Sequence, residues 1–195
     1  LNFIKLRSYP QKTYIVDLLK SEKELFKKLR GNWRNGLKKG LKLAKAEEIN
    51  DMSMIKNILL EYNKYALNLS FIPISQKKCL NWLFNNSENN GLLGLKIYQA
   101  SSLKEPNKNL GSIGVLLFKD KALYLFGFTN DNGRKFQANT LLLWHAIIDC
   151  KKKGLKEFDL GGFNKKTSNG IKKFKEGLNG RIVETLGEYI YIGFF

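Results

Sequence analysis

"KALYLFGFTNDNGRKFQANTLLLWHAIIDCKKKGLKEFDLGG", residues 121–162, decides the fold. Its first ten residues (121–130) are β-rich. Residues 136–154 then form a long helical pattern. It is apolar on nearly all sides in its middle, which predicts a buried helix. That helix ends in Lys151, Lys152, Lys153 and Gly154, which suits the negative end of the helix dipole and a left-handed C-terminal cap. A short strand, "EFDL" (157–160), follows and stops at Gly161 and Gly162.

Upstream, "GLLGLKIYQA" (91–100) and "GSIGVLLFKD" (111–120) are two further β-rich runs. The tight "KDK" step at 119–121 predicts a hairpin into the 121–130 strand, while "SSLKEPNKNL" (101–110) reads as plain polar connection. Further back, "TYIVDL" (13–18) has strand composition, and "SEKELFKKLR" (21–30) opens with Ser21 and Glu24 at capping-box spacing. "NWRNGLKKGLKLAKAEE" (32–48) is basic, interrupted by Gly36 and Gly40, and passes from a short helix into a strand. Residues 50–66 put Ile55, Ile58, Leu59, Tyr62 and Ala66 on one helical face, and 75–86 is a second short helix capped by Ser75. Downstream of the glycines come a helix over 168–177 and two strands, "RIVETLG" and "EYIYIGFF". This order predicts an α/β (α+β) class: one domain over 1–195, with a mixed, mostly antiparallel sheet and helices on both faces.

Composition sets the limits. A chain of 195 residues fits one domain, or two small ones, and buries a core without disulfides or metals. Lys and Arg number 34 against 17 Asp and Glu, a formal charge of +17 that attracts polyanions. The lysines are spread along the chain, so a codon-driven bias is an equal explanation. Cys79 and Cys150 are lone thiols in helical segments, read as small buried hydrophobes in a reducing compartment. With His145 the sole histidine, no zinc site is expected. A lone His inside a buried helix reads as structural. No apolar run has the length of a membrane span, and no signal peptide is seen. The chain opens on Leu1 rather than Met, so a processed or truncated chain with an upstream domain missing is one expectation.

"FDLGGFNKKTSNGIKKFKEGLNG" (158–180) raises the question of chemistry. It ends a core strand in two glycines and brings Lys172, Lys173 and Lys175 to the same place. It reads either as a tight turn before a solvated basic helix or as a site for an anionic substrate. Gly161 and Gly162 let backbone approach a ligand or a helix closely. Asp159 is a candidate to orient an attacking amine or to cap the next turn, and Asn164 is a polar contact. In "NWRNGLKKGLK", Arg34, Lys38, Lys39 and Lys42 stand beside Trp33. Guanidinium forks match phosphate, and an aromatic ring can stack a base. The alternative is an amphipathic helix with Trp33 packed inward.

The element order is similar to the GNAT acyltransferase fold. The motifs resemble its Fem (FemABX) branch: a strand ending in Asp17-Leu18 and an arginine-bearing basic segment, then Tyr124 in the middle strand and a Gln137-Ala138 helix opening. A Trp144-bearing helix, Asp159-x-Gly161-Gly162 and Phe174-Lys175 before a glycine turn complete the set. The resemblance covers most of the chain, with 67–110 matching only in outline. It implies an aminoacyltransferase that moves an amino acid from aminoacyl-tRNA to the stem-peptide amine of a UDP- or lipid-linked muramyl peptide. The implied place is the cytoplasm, at the inner face of the membrane, with no metal and no bound cofactor. Lys175 matches the position whose lysine stabilises the transition state in that family, and Phe174 the neighbouring aromatic that shapes the pocket. Gly161, Gly162, Tyr124, Gln137, Arg34, Trp33 and Lys38 are the further substrate-contact candidates. Well-known Fem members have two GNAT-like domains and several have a helical hairpin. This chain has room for one domain and shows no hairpin, so it is either the second domain of such a protein, with a partner domain elsewhere, or a single-domain relative.

Acyl-CoA-using GNAT enzymes hold pyrophosphate on a glycine-rich loop at a helix N-terminus. The corresponding "NDNGRKFQANT" has Gly133 and Arg134 but lacks the glycine spacing, and Phe136 stands where close backbone approach is needed. This favours a tRNA donor over acyl-CoA. Two alternatives stay open: an acyl-CoA-dependent N-acyltransferase of envelope biosynthesis, and a non-catalytic RNA-binding domain.

Overall fold

The computed structural model describes residues 3–7, 12–69, 73–84, 93–163, 167–184 and 188–191. Its central sheet has seven strands in the order β3-β4-β5-β6-β7-β2-β8: β2 (Lys12–Asp17), β3 (Ala44–Ile49), β4 (Leu93–Ser102), β5 (Asn109–Phe118), β6 (Lys121–Thr129), β7 (Glu157–Asp159) and β8 (Arg181–Glu184). Among the described strands only the β6–β7 pair is parallel. It is joined by the long crossover helix α6 (Ala138–Lys152), as a parallel connection requires.

The helices lie on both faces, as the element order predicts. Strand side chains alternate, so Tyr98 enters one core and its neighbour Ile97 the other. The first core is roofed by α1 (Glu22–Lys28), α2 (Gly31–Leu43) and α6, through Leu25, Trp33, Leu37 and Leu142. The second is closed by α3 (Met52–Asn68) and α4 (Gln76–Phe84), and it buries the predicted face of Ile55, Ile58, Leu59, Tyr62 and Ala66. Cys79 and Cys150 are buried, one in each core region, and burial pushes their thiols up to about 11 and about 12.

Several boundaries differ from the sequence reading. The predicted helix over 136–154 begins only at Ala138. Asn130 caps a separate short helix, α5 (Asp131–Lys135), by accepting from the Gly133 N–H at 2.8 Å. The chain then breaks at Gln137, which is left-handed (φ 58°). α2 is not a short, interrupted helix. It runs 13 residues straight through Gly36 and Gly40, because tertiary packing against α6 outweighs their low propensity. The connection assigned to 101–110 narrows to 103–108, since both strands extend into it. β1 (Phe3–Arg7), which pairs with β9 (Glu188–Tyr191) in a separate two-stranded ribbon, was not foreseen. The other capping signals hold. Ser21 and Glu24 form the reciprocal capping box, Ser75 accepts from the Lys78 N–H at 3.4 Å, and Gly154 is left-handed (φ 82°).

Candidate active site

The site grows from an irregularity where β7 leaves β2. Leu160 N–H donates to the Tyr14 carbonyl at 2.9 Å, and Phe163 N–H donates to the Lys12 carbonyl at 2.7 Å. Three steps on one strand therefore pass opposite two on the other, a β-bulge whose extra length falls on the glycines. Gly161 adopts the left-handed region (φ 74°), where a side chain is strained. A Cβ there would also stand 3.0 Å from the Tyr124 carbonyl and 3.5 Å from Lys175 Nζ. On its far side, β6 continues to Thr129, while its pairing with β7 ends at Leu123 and Asp159.

Asp159 fixes the turn. Its Oδ1 accepts from the Gly161 N–H at 2.8 Å and from the Thr13 hydroxyl. The Gly161 carbonyl is a second acceptor for that hydroxyl, 3.0 Å away. The turn in turn holds Lys175, on α7 (Asn169–Glu176), whose N-terminus is capped by Ser168. Lys175 Nζ donates to the Gly161 carbonyl at 2.8 Å and to the Gly162 carbonyl at 3.0 Å. The residue is 7% exposed. Burial disfavours its charged form and brings the ammonium pKa down to about 8, with the Asp159 carboxylate pulling the other way.

Phe174 and Trp33 lock α7 against α2. The Trp33 indole N–H donates to the Phe174 carbonyl at 3.0 Å, and their ring centroids are 5.7 Å apart. Arg30 and Glu176 add an ion pair of 2.9 Å. Trp33 is 4% exposed, so its ring faces are taken up by packing rather than presented for stacking. Tyr124 contributes backbone beside Gly161. Its hydroxyl lies 3.5 Å from Asn139 Oδ1, and burial raises its pKa.

Lys175, Phe174, Trp33, Asp159, Gly161, Gly162 and the Tyr124 backbone thus form one neighbourhood. The remaining candidates stand apart from it. Arg34 donates to the carbonyls of Lys27 (3.0 Å) and Leu29 (2.7 Å), closing the C-terminus of α1. Lys38 is exposed on α2, Gln137 bridges the start of α6 toward Gly36, and Asn164 lies outside the described residues. His145 packs edge-on against Tyr98 at 5.6 Å, and burial lowers its pKa. Thr13 was missed from the sequence. The available signal was a polar residue at the start of the apolar "TYIVDL" run. A groove of about 640 Å³ opens at the other end of β7, among Lys20, Lys28, Lys156 and Arg181, but Lys175 does not line it. The buried cation with fixed partners, rather than the open groove, is therefore the candidate site.

Among the described residues no cluster of His, Cys, Asp and Glu could hold a metal ion, and no helix is long and apolar enough to cross a membrane. The FemAB family profile matches residues 94–192, which include both Asp159 and Lys175. In three dimensions the chain is similar to FemX, with a TM-score of 0.78 at 16% identity, covering 98% of this chain and 66% of that one. It is also similar to the C-terminal DUF2156 domain of a putative lysylphosphatidylglycerol synthetase from Agrobacterium fabrum (TM-score 0.60, 13% identity, 94% and 60% covered). L-PGS from Bacillus licheniformis is a further likeness (TM-score 0.58, 13% identity, 93% and 60% covered). At these identities the likeness is one of fold, and the chain spans 60–66% of the length of these structures. No curated protein matches the chain by sequence.

Proposed function

This chain belongs to the FemAB family, and from that premise we propose that it is an aminoacyltransferase. It moves an amino acid from aminoacyl-tRNA to the stem-peptide amine of a UDP- or lipid-linked muramyl peptide. The observation that carries this reading is the buried Lys175 ammonium, held by the carbonyls of Gly161 and Gly162.

In such a transfer the neutral acceptor amine attacks the ester carbonyl of the donor. A C–N bond forms, and negative charge gathers on the carbonyl oxygen. The ester C–O bond then breaks, and the amine proton passes to the departing ribose oxygen. A lysine ammonium has three donors. With two held by the turn carbonyls, the third has a fixed direction in which to meet the developing oxyanion. Such a donor acts without reorganising, and removal of one such group typically costs roughly 10²–10³ in kcat. Asp159 is committed to the turn. In this mechanism it sets geometry and supplies counter-charge, and it takes no proton from the amine.

The chain works as one GNAT-like domain, alone or as the second of two, in the cytoplasm at the inner membrane face. It needs no cofactor beyond its co-substrates. The donor is read as tRNA because the segment that would hold a CoA pyrophosphate is folded into α5. There Arg134 is engaged with Asp131 and the Thr129 carbonyl. Incubation of the intact gene product with charged tRNA and UDP-linked muramyl pentapeptide is expected to yield aminoacylated precursor. No product, together with turnover on acyl-CoA and an amine, would replace this reading with an acyl-CoA-dependent one.

A further inference from the structure

We infer that Thr13, acting through the Asp159 carboxylate, is the positioning residue that holds the Gly161–Gly162 turn in the conformation that presents two carbonyls to Lys175. This rests on the reading of Lys175 as the catalytic cation.

Thr13 lies on β2, is 9% exposed, and with Tyr14 supplies the hydroxyls in the buried part of that strand. Its hydroxyl meets the Asp159 carboxylate and stands 3.0 Å from the Gly161 carbonyl. It therefore touches the residue that enters the bulge and the first glycine within it. Gly161 has no side chain to define its own conformation, and a left-handed glycine is free to leave that region unless its neighbours hold it. Two hydrogen bonds to one carboxylate oxygen supply the constraint: one from the Gly161 N–H and one from β2. The β2 backbone fixes Thr13 itself, by pairing with Val183 of β8. The chain of cause runs from β2 to Thr13, Asp159 and Gly161, and then to the carbonyls that grip Lys175.

The surroundings of Lys175 make the effect measurable. The charged group that acts on Lys175 is Asp159 from β7; Lys172, Lys173 and Glu176 share α7 with it, and Glu176 pairs with Arg30 at the start of α2. Tyr14 from β2, beside Glu176, and Tyr124 from β6 are phenols whose pKa values burial raises. Among the described residues Asp159 is the counter-charge acting on Lys175. Loosening the turn withdraws two acceptors from the ammonium, which disfavours its charged form.

The test is an NMR titration of the Lys175 side chain in protein labelled at lysine Cε, assigned with Lys175→Arg. It compares the unsubstituted protein with Thr13→Val, which keeps shape but removes the hydroxyl, and Thr13→Ser, which keeps it. The unsubstituted midpoint is expected near 8. Thr13→Val is expected to move it down, to roughly 7, with Thr13→Ser restoring it. Thr13→Ala, which also removes the hydroxyl, is expected to move it the same way and serves if Thr13→Val fails to fold. A folded Thr13→Val protein that titrates like the original overturns the inference. Transfer assays separate this from the functional reading. If Thr13→Val shifts the midpoint but Lys175→Ala transfers at the original rate, Thr13 still positions Lys175 and the catalytic assignment falls.

Discussion

Lys175 combines a catalytic opportunity with a folding penalty. Its folded pKa of about 8 lies below the ordinary lysine value of 10.5. Between those values the unfolded chain holds a proton that the folded chain has released, so stability rises with pH across that window and the penalty is complete below it. Urea unfolding at the two ends of the window is expected to show this rise, and Lys175→Met to lack it. On the proposed mechanism activity runs the opposite way: the ammonium is the useful form, so kcat should fall as pH rises through about 8, as a pH–rate profile would show. The residues show how much of the site was legible. Lys175 stands among several lysines in "GIKKFKEG", and only the family resemblance separated it from Lys172 and Lys173. The Asp159-x-Gly-Gly pattern pointed to a special turn. That Asp159 serves the turn depends on Thr13, 146 residues away in sequence, which no local pattern reveals. Arg34 looked like a phosphate fork, yet it binds the carbonyls that end α1, a contact set by the angle between two helices.

At the scale of the element, the bulge and the α2–α7 contact carry the geometry. Gly161→Ala places a side chain in the left-handed region with a backbone oxygen 3.0 Å away. It is expected to destabilise by about 1–2 kcal/mol, measured by urea denaturation, and to lower kcat further by moving the Lys175 acceptors. Gly177→Ala drives a Cβ into the Trp33 ring, so α7 must shift, and overpacking of this kind costs about 1–3 kcal/mol. A Trp33 emission change on substitution would report that shift. Elements with strong local signals were readable. The Ser21–Glu24 capping box and the one-sided apolar face of α3 declare themselves within a few residues. The division of α5 from α6 did not, because an asparagine cap and a left-handed glutamine compete with a continuous helical pattern. β1 is defined by its pairing with β9, at the opposite end of the chain, and by little in its own sequence.

Across the whole molecule, the two-sided sheet follows from the order of elements, which periodicity supplies. The parallel β6–β7 seam follows from the long helix between them. The +17 charge gives attraction to polyanions but no address. Ligand linkage gives one. UDP-linked muramyl pentapeptide at a hundred times its dissociation constant should add about 2.7 kcal/mol and raise Tm by roughly 5–10 °C, with no rise from acetyl-CoA. A rise from acetyl-CoA alone would reverse the choice of donor.

The most direct measurement is steady-state transfer from charged tRNA to UDP-linked muramyl pentapeptide by the intact gene product and by its Lys175→Ala variant. The account predicts that kcat falls by roughly 10²–10³ while KM for either substrate changes little. A variant that keeps its kcat, or loses only affinity for tRNA, would contradict the assignment of Lys175 as the group that meets the transition state.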